Sequence, residues 1–150
     1  MGNGIVPSFI LTNINRLITQ SGRTKLAFLR DQAELNKSMF VAVTETWLSD
    51  KVFDSGVSHN FQGYTIMRSD RTGRSGGGVA IYLRDDLSGD VISTFDNGVC
   101  EALVIRIHQL DHVVVVVYRP PDTRHAEFSA VLDEIDKVLC TLRALSLIHI

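Results

Sequence analysis

Met39-Phe40-Val41-Ala42-Val43, followed by Thr44-Glu45-Thr46-Trp47-Leu48, is the stretch on which the fold turns. The first five residues form a continuous apolar run of strand length, the pattern of a strand covered on both faces. Such a strand belongs to the interior of a layered α/β domain, and the chain leaves this one at a carboxylate. Glu45 stands where open α/β folds gather ligand groups, and its oxygens suit a hard cation such as Mg²⁺. A solvated loop acid or a helix-capping partner would also fit that position.

Upstream, residues 8–13 read as a short buried strand ending in polar chain. After a break at Ser21-Gly22, residues 24–37 carry Leu26, Leu29 and Ala33 at helical spacing. Downstream, residues 49–60 are polar, and then the rhythm changes to short strands at 63–67, 79–83, 90–95 and 100–108. Residues 112–118, with five consecutive valines, form the strongest strand, and Arg119-Pro120-Pro121 stops it. Phe128, Val131, Leu132, Ile135, Val138, Leu139 and Leu142 then recur at three-four spacing, a helix that Asp122 or Thr123 can cap. Strand, helix, strand, several strands and helix make a sheet-rich α/β layered domain rather than a strict alternation.

Three further features carry chemistry. Asn13, at the end of the first strand, occupies the place equivalent to Glu45; its amide could orient a phosphate, hold Glu45 or simply make a turn. Arg68, Arg71 and Arg74 concentrate positive charge beside Gly76-Gly77-Gly78. This suits contact with a phosphate backbone, and equally a flexible hairpin with solvated arginines. No Gly-Lys-Ser/Thr follows, so it is not a nucleotide-binding P-loop. Tyr118 ends the valine strand, where a phenol can hydrogen-bond a phosphate oxygen or serve as an ordinary strand-end tyrosine. Trp47 reads as a packing residue.

Composition bounds the function classes. The chain has 150 residues, 45% hydrophobic and 21% charged, with 15 basic and 17 acidic side chains and a net charge of −2. That is one globular domain, and not a disordered chain or a polybasic tail. Cys100 and Cys140 lie without partner spacing, which argues against a zinc site or a disulfide scaffold and fits a reducing, intracellular setting. No apolar run approaches the roughly 20 residues needed to span a bilayer, so no membrane is expected.

Taken in order, Thr12-Asn13-Ile14-Asn15, Thr44-Glu45-Thr46-Trp47-Leu48, Tyr64 with Arg68-Ser69-Asp70-Arg71, Gly76-Gly77-Gly78-Val79-Ala80-Ile81-Tyr82 and Tyr118-Arg119-Pro120-Pro121 resemble one family. It is the endonuclease domain of LINE-type (non-LTR) retrotransposons, within the exonuclease–endonuclease–phosphatase superfamily. The resemblance runs from about Ser8 to about Leu142. It implies a four-layer α/β/β/α sandwich, of which this chain holds part, and Mg²⁺- or Mn²⁺-dependent nicking of DNA that primes reverse transcription in the nucleus. It also implies that Glu45 binds the metal, that Asn13 helps order the active site, and that Tyr118 stands near the scissile phosphate.

The family continues into a strand ending Gly-Asp-Phe-Asn and a later Ser-Asp-His segment, which supplies the pair that activates water. Here the last glycine is Gly98 and the last asparagine Asn97, and His149 has no matching context. Residues 1–150 are therefore expected to form one domain that lacks the C-terminal part of the fold. Residues 143–150 read as a tail outside the family pattern. The expected consequences are loss of catalysis in this chain alone, an unpaired valine-strand edge and self-association through it. Two alternatives stand beside this reading: a non-catalytic nucleic-acid-binding or protein-interaction remnant, and a phosphodiesterase acting on a small or lipid phosphoester.

Overall fold

The computed structural model describes residues 8–142 and 146–149. Two four-stranded sheets carry the chain. The first is built from β1 (Phe9–Asn13), β2 (Phe40–Thr44), β3 (Tyr64–Ser69) and β4 (Val79–Arg84), in the order β1-β2-β4-β3. The second is built from β5 (Gly89–Asp96), β6 (Glu101–Ile107), β7 (His112–Tyr118) and β8 (Ser146–His149), in sequence order. The helices are α1 (Gln20–Leu35), α2 (Asp54–Ser58) and α3 (His125–Leu142).

Pleat parity turns these sheets into layers, because alternate side chains of a strand face opposite ways. Val41, Val43, Ala80 and Tyr82 pack outward against Leu26 and Ala33 of α1 and Val57 of α2. Phe40, Ala42, Ile81 and Leu83 point inward and meet Leu103, Ile105, Val114 and Val116 of the second sheet. The outer face of that sheet, with Ala102, Val104, Val113 and Val115, is covered by Val131 and Ile135 of α3. The result is helix, sheet, sheet, helix, the layering the resemblance implies. Two buried phenols are satisfied within it: Tyr64 donates to the Ser38 carbonyl at 2.8 Å and Tyr82 to the Val57 carbonyl at 3.2 Å.

Several expectations need correction. The first helix starts at Gln20, ahead of residue 24, because Thr19 caps it by accepting from the Gly22 N–H at 2.9 Å. Gly22 is thus not a break; lacking a Cβ, it lets the first turn lie against the carbonyls of Arg16 and Leu17. The polar stretch 49–60 holds α2, a single turn whose Val57 is buried. The third helix opens at His125, where Glu127 Oε2 accepts from the Arg124 N–H at 3.3 Å, so Asp122 and Thr123 stand ahead of the cap position.

The valine strand is also not left open. β7 pairs with β6 on one side and, in parallel, with β8 on the other, since α3 carries the chain back to the outer side of that strand. Of the tail at 143–150, residues 146–149 are this strand, and residues 143–145 and 150 lie outside the described residues. Among the described residues, no helix is long and apolar enough to cross a membrane.

Candidate active site

The site forms at the ends of β1, β2 and β7, where a residue of one sheet meets a residue of the other. Asn13 pairs in register with Thr44, and beyond them the loops continue to bond as a sheet would. The Ile14 N–H donates to the Thr44 carbonyl at 3.0 Å, and the Arg16 N–H to the Glu45 carbonyl at 2.8 Å. On the other side the Trp47 N–H donates to the Gly77 carbonyl at 2.9 Å. Gly77 and Gly78 have φ of 66° and 87°. A Cβ on Gly78 would sit 2.5 Å from Thr46 Oγ1, so glycine there is a condition of the close approach.

The second sheet contributes the facing wall. Glu101 and Tyr118 are register partners on β6 and β7, and parity turns both toward the inter-sheet space. The Tyr118 hydroxyl donates to Glu45 Oε1, joining the two sheets through the two residues expected to act together. Burial, then the hydrogen bond to Glu45 and its charge, push the Tyr118 phenol up to about 12, so it remains a donor at neutral pH. Arg71 lies with its guanidinium carbon 5.9 Å from the centre of the Tyr118 ring. Its Nε and Nη2 both donate to the Glu101 carboxylate, the latter at 3.1 Å, and Nη2 also donates to the Val99 carbonyl at 2.9 Å. Glu101 is fully buried. Burial pushes its carboxyl up while Arg71 and the Gly78 N–H pull it down. The ion pair ties the glycine loop to β6 beneath Tyr118.

The structure thus brings Glu45 and Tyr118 into contact. Asn13 stands at the same end, exposed, with Oδ1 accepting from the Asn15 N–H at 3.0 Å; that bond makes a turn and does not hold Glu45. The three arginines part company. Arg68 turns inward, donates to the Ser49 carbonyl at 3.3 Å and to the Val52 carbonyl, and pairs with Asp54 and Asp70. Arg71 is consumed by Glu101, and Arg74 alone is exposed without an acidic partner among the described residues.

Sequence reading missed Glu101 and Arg16. A single acid beside Cys100 at a strand start carries no local signal, whereas Arg16 follows directly on the Thr12-Asn13-Ile14-Asn15 motif. Trp47, read as packing, is 39% exposed. A histidine–aspartate pair, His108 with Asp90 at 2.9 Å, lies at the opposite end of β6 from Glu101, about 20 Å away at strand rise.

Among the described residues, no group of three or more histidine, cysteine or acidic side chains could hold a metal. Of the two carboxylates at this end, Glu101 is taken up by Arg71, and Glu45 accepts from Tyr118. A hard ion that takes one or two carboxylates and keeps its waters fits that donor chemistry.

No protein-family model and no curated protein sequence matches the chain. Solved structures do match. An AP endonuclease from Archaeoglobus fulgidus is similar over 94% of this chain and 55% of its own, at 18% identity and a TM-score of 0.57. The endonuclease domain of TRAS1, a telomere-specific non-LTR retrotransposon, is similar over 89% and 54%, at 18% identity and a TM-score of 0.57. A mannosyl-6-phosphatase from Bacteroides thetaiotaomicron is similar over 95% and 64%, at 10% identity and a TM-score of 0.62. The chain spans little more than half the length of most such neighbours. Two sheets face to face between helices are thus the endonuclease/exonuclease/phosphatase fold, and this chain carries part of it.

Proposed function

We propose that this chain is the first part of a metal-dependent DNA endonuclease of the non-LTR retrotransposon type, and that alone it binds duplex DNA without nicking it. The observation that carries the reading is the hydrogen bond from Tyr118 to Glu45, which joins the ends of two sheets. Thr44-Glu45-Thr46-Trp47-Leu48 and Tyr118-Arg119-Pro120-Pro121 favour the retrotransposon branch over other users of the fold.

In this reading Glu45 would hold Mg²⁺ or Mn²⁺ through its carboxylate. Such an ion, when bound, offsets charge on the phosphate and lowers the pKa of water. Tyr118, neutral and already a donor, can pass its hydrogen bond from Glu45 to a phosphate oxygen. The Asn13 amide keeps its N–H donors for the same anion. In the same reading Arg74 meets the nucleic-acid backbone; its exposure and lack of an acidic partner among the described residues support this, while Arg68 and Arg71 are held by carboxylates. A base that removes a proton from water typically contributes 10²–10⁴-fold, and the segments that would supply it, Gly-Asp-Phe-Asn and Ser-Asp-His, do not occur in residues 1–150.

The test combines gel shift of a DNA duplex with nicking of supercoiled plasmid in Mg²⁺, beside EDTA and Glu45→Ala controls. The expected result is a shifted duplex and an intact plasmid. Nicking lost in both controls would uphold the metal site and overturn the claim of inactivity. A folded chain that leaves the duplex unshifted would overturn the DNA reading. Turnover of a sugar phosphate in that case would favour the second reading, a small-phosphoester hydrolase, to which the likeness to a sugar phosphatase lends support.

A further inference from the structure

Of the non-glycine residues with positive φ, Asn15 (47°), Arg16 (74°), Glu45 (55°) and Trp47 (56°) lie in the two loops that follow β1 and β2. Left-handed backbone at residues bearing a Cβ is unfavourable and persists where the surroundings hold it, which is commonest at functional sites. Here the loops are held by the bonds from Arg16 N–H to the Glu45 carbonyl, from Leu17 N–H to the Thr46 carbonyl at 3.0 Å, and from Trp47 N–H to the Gly77 carbonyl. Their combined effect is to lay the Arg16 guanidinium over the Trp47 ring, 5.1 Å from its centre. Gly76 lies beside that ring, where a Cβ would come 3.6 Å from Cε2 and Cζ2.

The charges around the opening differ in their engagement. Arg68 is neutralised by Asp54 and Asp70, and Arg71 by Glu101. Arg16 is exposed, and no acidic group among the described residues pairs with it. A guanidinium stacked on an indole keeps its in-plane N–H donors outward and loses little freedom when it binds an anion. An unpaired cation fixed beside a carboxylate site is suited to a phosphodiester oxygen.

We propose that Arg16, seated on Trp47, contacts a DNA backbone phosphate adjacent to the one addressed by Glu45 and Tyr118. The proposal rests on the DNA reading above and adds to it a residue whose positive charge serves binding. A free phosphate or a phosphomonoester offers the same chemistry, and the test separates these sources.

The experiment is anisotropy of a short labelled duplex in EDTA, titrated with the intact chain over a series of KCl concentrations. Variants are Arg16→Gln, Arg16→Gly, Arg16→Lys and Trp47→Leu, each checked by its melting transition. Arg16→Gly relaxes the left-handed backbone, so weaker binding by that variant is not a folding defect. Arg16→Gln and Arg16→Gly should lower affinity about tenfold and flatten the slope of log affinity against log salt by about one phosphate contact. Arg16→Lys should keep the slope, and Trp47→Leu should weaken binding with the slope kept. Wild-type affinity and slope in both Arg16→Gln and Arg16→Gly would overturn the proposal and leave the DNA reading intact. Failure of the folded wild-type chain to bind would overturn both. Displacement of the duplex by millimolar inorganic phosphate from wild type, but not from Arg16→Gln, would assign the site to a small phosphate and overturn the backbone contact.

Discussion

Tyr118 and Glu45, 73 residues apart, meet through a hydrogen bond that runs from the last residue of the valine strand to the loop after the buried strand of the other sheet. Glu45 takes φ of 55° to be there, and Tyr118 is aimed inward by the parity that buries Val114 and Val116. Either residue alone reads as an ordinary element terminus. Together they define a polar point at the mouth of an apolar sandwich.

That phenol is expected to be a source of alkaline lability. In the unfolded chain Tyr118 ionises near its ordinary value of 10, and in the fold it holds its proton to about 12. The unfolded state therefore binds fewer protons across that window, and stability falls as pH rises from 10 to 12, by on the order of 2 kcal/mol for two pH units. Tyr64 and Tyr82 are also pushed up by burial and act in the same direction. Urea denaturation at stepped alkaline pH should show this loss, and Tyr118→Phe should make it shallower.

Breaking the buried ion pair should be more damaging than replacing it. Arg71→Ala leaves the fully buried Glu101 without its guanidinium and is expected to cost about 3–5 kcal/mol. Arg71→Met with Glu101→Leu removes both charges and should recover most of that loss. Denaturation midpoints of the two variants check the order.

Gly78→Ala tests the close packing of the three loops. Its φ of 87° and the 2.5 Å approach to Thr46 Oγ1 oppose any side chain, and a loss of more than about 1 kcal/mol is expected. Gly73→Ala is the comparison: its φ is also positive, but open space surrounds it, so it should bear the backbone penalty alone.

The layers were legible because hydrophobic pattern and burial are one phenomenon. The run from Phe40 to Val43 and the five valines are apolar at both parities, and both strands prove to be covered on two faces. Glu45 and Tyr118 could be singled out because each follows such a run immediately. What could not be read was the partnership of charges. Arg68, Arg71 and Arg74 look alike along the chain, but only tertiary folding decides that two meet carboxylates and one does not. Glu101 was invisible for the same reason, since its partner lies 30 residues away. The start of α1 was misplaced because Gly22 looked like a breaker. Its role is to let two backbones touch.

In the proposed site Glu45 would hold a divalent cation within reach of Tyr118. The chain has three tyrosines, so carbon labelling at Cζ gives one resonance each for Tyr64, Tyr82 and Tyr118. Titration with substoichiometric Mn²⁺ should broaden the Tyr118 resonance well ahead of the other two, and Glu45→Gln should abolish that selectivity. Equal broadening of all three, or selective broadening of Tyr118 that survives Glu45→Gln, would contradict the claim.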